Sequence, residues 1–406
     1  MKNLVVCALA LALGALGPQR VQHGLFDAAW ALGTLMLVAF LAQRAAASLR
    51  LPALTGWVAA GLLLGPALLK LVPPAPTLHL IHAFAAIWVG FCAGLDFSRP
   101  VVGWRPTAAI ALSTLGVFLA VGAALALLVG IPWELALIIG ALTSLWGPFT
   151  IPAVIADPQA VSWSLVGNGC GLMLLSALLL LLQGQGLLPA TLLTFVGVLW
   201  ASLLAGALVG GLLGWMRVCT TPRATLVGLG GTFLLCALVI DQFQLYALLF
   251  GFAAGWGMTR QPNQRQQVEP SVRAVQPLFA MLFFALAGAV LDPWTLWPPV
   301  TTLVQIALVQ VLALILLRGW VLGRLAPAVS GAPRPRTWLL LPKAALLFEL
   351  IYHPGGGLAE LLPAEPARLL RQTALAELLV HAFVLAVLAF LLYRPWRRIP
   401  DSIVQE

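Results

Sequence analysis

Charge is scarce in this chain. Only 9% of its 406 residues are Asp, Glu, Lys or Arg, where a soluble domain carries about 25%. So little charge cannot clothe a water-exposed surface, which excludes a soluble enzyme, a nucleic-acid binder and a disordered scaffold. The net charge of +9 is that of basic loops beside a membrane rather than of a nucleic-acid surface. Paired cysteines are also missing. Cys7, Cys92, Cys170, Cys219 and Cys236 stand singly, with no CxxC and no Cys/His cluster, so packing is their role rather than disulfides or metal. There is no nucleophile–base set, no metal-ligand spacing and no cofactor loop, which argues against an enzyme and implies no cofactor. The string GNGCG (167–171) has the glycines of a phosphate loop, but it lacks the lysine and lies in an apolar run.

What the chain does have is apolar length. Hydrophobic residues make up 61%, and the mean hydropathy is +1.01. The runs far exceed the ~10-residue alternating strands of a barrel, so the spans are helical. Thirteen are expected, at 24–42, 51–72, 78–97, 106–130, 133–156, 160–183, 187–215, 223–240, 243–258, 274–291, 297–320, 337–352 and 372–393. A shorter apolar segment, 4–17, follows Lys2 and suits a signal peptide or a short anchor. The expected organisation is a signal-like segment over 1–23, one transmembrane domain over 24–393 and a short tail over 394–406, with no cytoplasmic regulatory domain. With the start of 24–42 outside, the inner loops carry fifteen basic residues and the outer loops after Trp30 three, Lys70, Arg368 and Arg371. That bias places the C-terminus in the cytoplasm, with the chain in a plasma membrane.

Two spans are interrupted at membrane depth. Gly147-Pro148 lies within 133–156, just beyond Ser144, and the stretch from Pro342 to Gly357 interrupts the twelfth span. Broken helices in corresponding halves mark midplane binding sites in transporters, although membrane helices also tolerate Gly and Pro for other reasons. Ionisable residues at depth are functional candidates because burying them costs free energy. They are Arg318, Lys343, Glu349, Glu377 and His381. Arg318 and Lys343 lie towards the cytoplasmic side, where snorkelling is the plain alternative. Glu377 and His381 share a helix face and can satisfy each other. In the span 160–183, Asn168 is the strongly polar side chain, flanked by Gly167, Gly169 and Gly171. It reads either as a hydrogen-bonded amide in a small-residue packing surface or as a variant ion site.

Several strings in order resemble the cation:proton antiporter superfamily, especially its bacterial Kef- and Nap-type branch of sodium or potassium/proton exchangers. They are LRLPALTGWVAAGLLLGP (49–66), IWVGFCAGLDFS (87–98), LYALLFGFAAGWGMT (245–259), VQPLFAMLFFALAGAVLD (275–292), and LRGWVLGRL (317–325) followed by LLLPKAALLFEL (339–350). The resemblance covers roughly 24–393. It implies an all-α membrane fold of inverted repeats, in which two crossing broken helices (133–156 and 337–352) lie in a mobile six-helix core beside a dimerisation scaffold. It also implies a homodimer. The family's function is exchange of a monovalent cation, Na⁺ or K⁺, for protons by alternating access. Carried over by position, the family's ion-binding pair falls on Asn168-Gly169, with glycine replacing the essential acid. Its basic residues fall on Arg318 and Lys343, and a second acid falls on Ala345. An amide cannot exchange a proton, and a core that keeps its bases but loses its acids is net positive, favouring anions. Two readings follow. Either Glu349 serves as the replacement acid, or the protein is a non-coupled homologue that carries an anionic or neutral solute or acts as a membrane partner.

Overall fold

In lipid, a chain with few polar side chains can close its backbone hydrogen bonds only along itself. A computed structural model describes residues 24–49, 53–72, 76–97, 104–146, 158–184, 191–216, 221–260, 262–291, 300–319, 344–352, 357–359 and 361–376. Among these residues every regular element is helical. In chain order they are α1 (Gly24–Ser48), α2 (Ala53–Leu64), α3 (Pro76–Phe97), α4 (Trp104–Ala124, ending in a π turn Leu125–Val129), α5 (Trp133–Ser144), α6 (Pro158–Gly184) and α7 (Thr191–Trp215). There follow α8 (Pro222–Phe243), α9 (Ala247–Met258), α10 (Pro262–Val290), α11 (Val300–Ala313, running into a π turn Leu314–Gly319) and α12 (Ala344–Tyr352). Last comes α13 (364–376). Seven of these helices are long and apolar enough to cross a membrane. The segment 4–17, the Glu377–His381 pair and the tail lie outside the described residues.

Three boundaries differ from the apolar-run reading. The second span stops at Leu64, and the chain then turns through Gly65-Pro66 to Lys70, whose φ of 56° is left-handed. The expected loop 259–273 is helical from Pro262 onward. Val268 and Val272 are fully buried on one face of that stretch. Arg273 bonds Glu269 one turn back at 2.8 Å and reaches buried Asp96 of α3 at 2.6 Å. Those i,i+4 pairs carry a helix that the apolar content alone hides. Likewise 364–376 is helical, although most of it falls in the expected loop 353–371.

The helices pack as two groups. In one, α9 lies on α3 and α7, α10 lies on α2, α3 and α8, and α1 lies on α2. In the other, α4 packs on α5, α6 and α11. The groups meet where α6 touches α3 and α7, and α12 lies against α10.

The first group is joined through glycine. A Cβ on Gly90 or Gly94 of α3 would run into the carbonyls of Leu248 and Phe252 in α9. Gly251 and Gly255 of α9 face the carbonyls of Ile87 and Phe91 in return. Without a hydrophobic drive between helices in lipid, such close backbone approach supplies the dispersion contacts that hold them together.

Candidate ion site

The centre of the second group is the end of α5. The helix stops at Ser144, and Leu145 turns extended with φ −57° and ψ 158°. Proline at 148 is compatible with an early stop, since the residue before proline avoids the helical region. The break frees backbone groups that need partners. Asn168 of α6 supplies one, its Oδ1 accepting from the Trp146 amide at 2.8 Å. The Trp146 indole donates to Thr114 Oγ1 of α4 at 3.0 Å. Its ring lies on Gly167, where a Cβ would strike it, and Gly171 faces Leu145 and Ser144. Ser144 donates to the Ala141 carbonyl at 2.7 Å, while Gln310 of α11 donates to Thr143 at 3.0 Å. Two buried polar atoms here, Asn168 Nδ2 and Gln310 Oε1, have no hydrogen-bond partner among the described residues.

Gly169 stands apart from this network. It is exposed, and a Cβ added there would meet nothing within 4 Å. The position where the resemblance expects the essential acid is therefore sterically open. Arg318 lies in the π turn at the end of α11. Gly147, Pro148, Pro342 and Lys343 lie outside the described residues.

Glu349 is elsewhere. It is 7% exposed, in the short helix α12. Its carboxylate accepts from the Leu248 amide of α9, at 2.8 Å to Oε1 and 3.1 Å to Oε2. Leu248 is in the first turn of α9, where amides have no intrahelical partner and the helix dipole is positive. Ser202 of α7 accepts from the neighbouring Tyr246 amide at 2.9 Å. Glu349 and Asn168 share no hydrogen-bond partner among the described residues. The Glu349 carboxylate is held by α9 of the glycine-joined group.

Glu349 also lines a cavity of ≈ 50 Å³ together with His79 and His82 of α3, Asp241 of α8 and Tyr352. Sequence reasoning passed over the two histidines, Asp241, Thr143 and Gln310. The spacing of His79 and His82, three apart and so on one helix face, was the available signal. Among the described residues, no group of three or more His, Cys, Asp and Glu is placed to hold a metal ion.

The described residues combine long membrane helices, a broken helix, buried polar atoms without a partner among them, and two buried carboxylates, Asp96 paired with Arg273 and Glu349 held by a backbone amide, a set that suits a carrier. The family model described as sodium/hydrogen exchanger, transmembrane, matches residues 32–339, and the chain belongs to that family. These are secondary transporters, and the protein is not an enzyme. The structure of the sodium proton antiporter MjNhaP1 from Methanocaldococcus jannaschii, at pH 8, is similar over 91% of this chain and 98% of its own, with 16% sequence identity and a TM-score of 0.60. At that identity the likeness establishes a shared fold. No curated protein matches the sequence.

Proposed function

We propose that the protein is a plasma-membrane antiporter exchanging a monovalent cation, Na⁺ or K⁺, for protons, with Glu349 as the exchanging acid. The reading includes thirteen spans in inverted repeats, a cytoplasmic C-terminus, a homodimer and alternating access, as the family resemblance implies. One observation carries it: the carboxylate of α12 is buried and bound to the Leu248 amide of α9. In the proposed arrangement α12 belongs to the mobile core and α9 to the scaffold.

That bond gives a coupling rule. The empty, charged carboxylate is pinned to the positive end of α9 by a charge-assisted hydrogen bond, worth roughly 1.5–3 kcal/mol. A proton or a cation on Glu349 cancels the charge that α9 holds, and α12 is released. The loaded forms cross and the empty form stays, which is what exchange without leak requires. Both loads compete for one carboxylate, so each drives the other out.

The experiment is reconstitution in liposomes with an internal pH dye under imposed Na⁺, K⁺ or Li⁺ gradients. Wild type shows cation-dependent proton flux, Glu349→Gln loses it by about a hundredfold or more, and Glu349→Asp retains part. Full flux in Glu349→Gln overturns the assignment. The rival, a non-coupled homologue carrying an anionic or neutral solute or serving as a partner, draws on Asn168, whose Oδ1 caps Trp146 as a structural amide does. It predicts a silent wild type and flux only after Gly169→Asp.

A further inference from the structure

The cavity beneath Glu349 is graded from outside to inside. Asp241 is exposed, His79, His82 and Tyr352 are half-buried, and Glu349 is buried. The element ends are consistent with that order. The start of α3, the end of α8 and the start of α9 lie on one side of the bundle by chain alternation, opposite the ends of α3 at Phe97 and of α9 at Met258. His82 is packed against Phe283 of α10, with ring centroids 4.9 Å apart.

The volume of ≈ 50 Å³ gives room for about three to five waters, since one needs roughly 10–15 Å³ on this measure. The titratable lining comes from three helices: His79 and His82 from α3, Asp241 from α8, and Glu349 and Tyr352 from α12. From α9 and α10 the wall is apolar, with Ala247 and Ala287, and among the described residues no further charge faces the cavity. Among the described residues no three of these acids and imidazoles are placed to hold a metal ion, and a file of titratable groups on a water-sized cavity suits proton passage.

Resting on Glu349 as the exchanging acid, we infer that this cavity is the outer proton port of the antiporter. His79, His82 and Asp241 relay protons through water to Glu349, away from the Asn168–Gly169 position. The step balances. A hydronium at the mouth gives its proton to Asp241 or an imidazole. Each imidazole accepts on one ring nitrogen and releases from the other. Glu349 ends as a neutral carboxylic acid, and water is returned outside. Imidazole suits this role because its two ring nitrogens can accept and donate in turn.

The test uses the full chain in right-side-out membrane vesicles. Na⁺-driven proton flux is followed while outer pH is stepped at fixed inner pH, and then inner pH at fixed outer pH. The variants are Glu349→Gln, Asp241→Asn and the pair His79→Gln with His82→Gln. The histidine pair is expected to slow flux about tenfold or more at outer pH 7, within the range a positioned proton donor contributes. It also flattens the dependence on outer pH while leaving the dependence on inner pH. Asp241→Asn does the same more weakly. A merely structural role for the histidines flattens both dependences together, and that result overturns the port. So does a histidine pair with wild-type rate and outer profile beside a silent Glu349→Gln, which leaves the Glu349 assignment standing. Wild-type flux in Glu349→Gln removes that assignment, and the port with it.

Discussion

In the first helix group, α3 and α9 meet backbone to backbone across Gly90, Gly94, Gly251 and Gly255. In the second, the end of α5 meets α6 through the Trp146 ring lying on Gly167, beside an Asn168 Nδ2 without a hydrogen-bond partner among the described residues. Backbone atoms in contact have one arrangement, because neither side can rotate away. A ring in a glycine pocket and an unpaired amide can be re-partnered. The α3–α9 joint therefore has the construction of a frame, and the α5–α6 joint that of a contact able to repack, while α5 itself is fixed to α4 backbone to backbone, Gly140 lying on the Phe118 carbonyl. Glu349 on Leu248 is where α12 is fastened to the frame.

A graded series of glycine substitutions sharpens this contrast. Gly251→Val puts a side chain into the Ile87 carbonyl, and no rotamer change relieves it. Loss of monodisperse folded protein in size-exclusion chromatography is expected, the outcome of a cost above about 4 kcal/mol. Gly167→Val meets the Trp146 side chain, which can shift. A fall in apparent Tm equivalent to about 1–3 kcal/mol is expected, with folded protein still recovered. Gly169→Asp meets nothing within 4 Å, and its Tm should stay within about 0.5 kcal/mol of wild type. The contrast breaks if Gly251→Val is tolerated as well as Gly169→Asp.

The helical membrane class was legible from the 9% charge together with apolar runs too long for barrel strands, because in lipid the backbone is satisfied only in helices or a closed barrel. The antiporter family was legible from the ordered strings between 49 and 350. The polar ends of helices were not. Reading apolar runs hid the first turns of α10, where buried Val268 and Val272 alternate with Glu269 and Arg273. The glycine frame was present as G-x-x-x-G at 90–94 and 251–255. Which faces meet, however, depends on how distant helices pair, and local spacing does not carry that. The same holds for the site. Asn168, Gly169 and Glu349 were singled out as residues, but the partner of Glu349 is a main-chain amide 101 positions away, and a backbone donor has no sequence signature. His79, His82 and Asp241 sit at helix ends, where polar residues are ordinary, and only the cavity they share with Glu349 marks them.

The central claim is that the charge on Glu349 pins α12 to α9 until a load removes it. Leu248 is well suited to report this, because its amide lies in the first turn of α9 and its hydrogen bonds are to the Glu349 carboxylate. Hydrogen–deuterium exchange of the peptide around Leu248 should be followed at one alkaline pH, with and without saturating Na⁺. Glu349→Gln serves as the reference. The account predicts slow exchange without cation, faster exchange with Na⁺, and fast, Na⁺-insensitive exchange in Glu349→Gln. Equal protection in wild type and Glu349→Gln, unmoved by Na⁺, would contradict it.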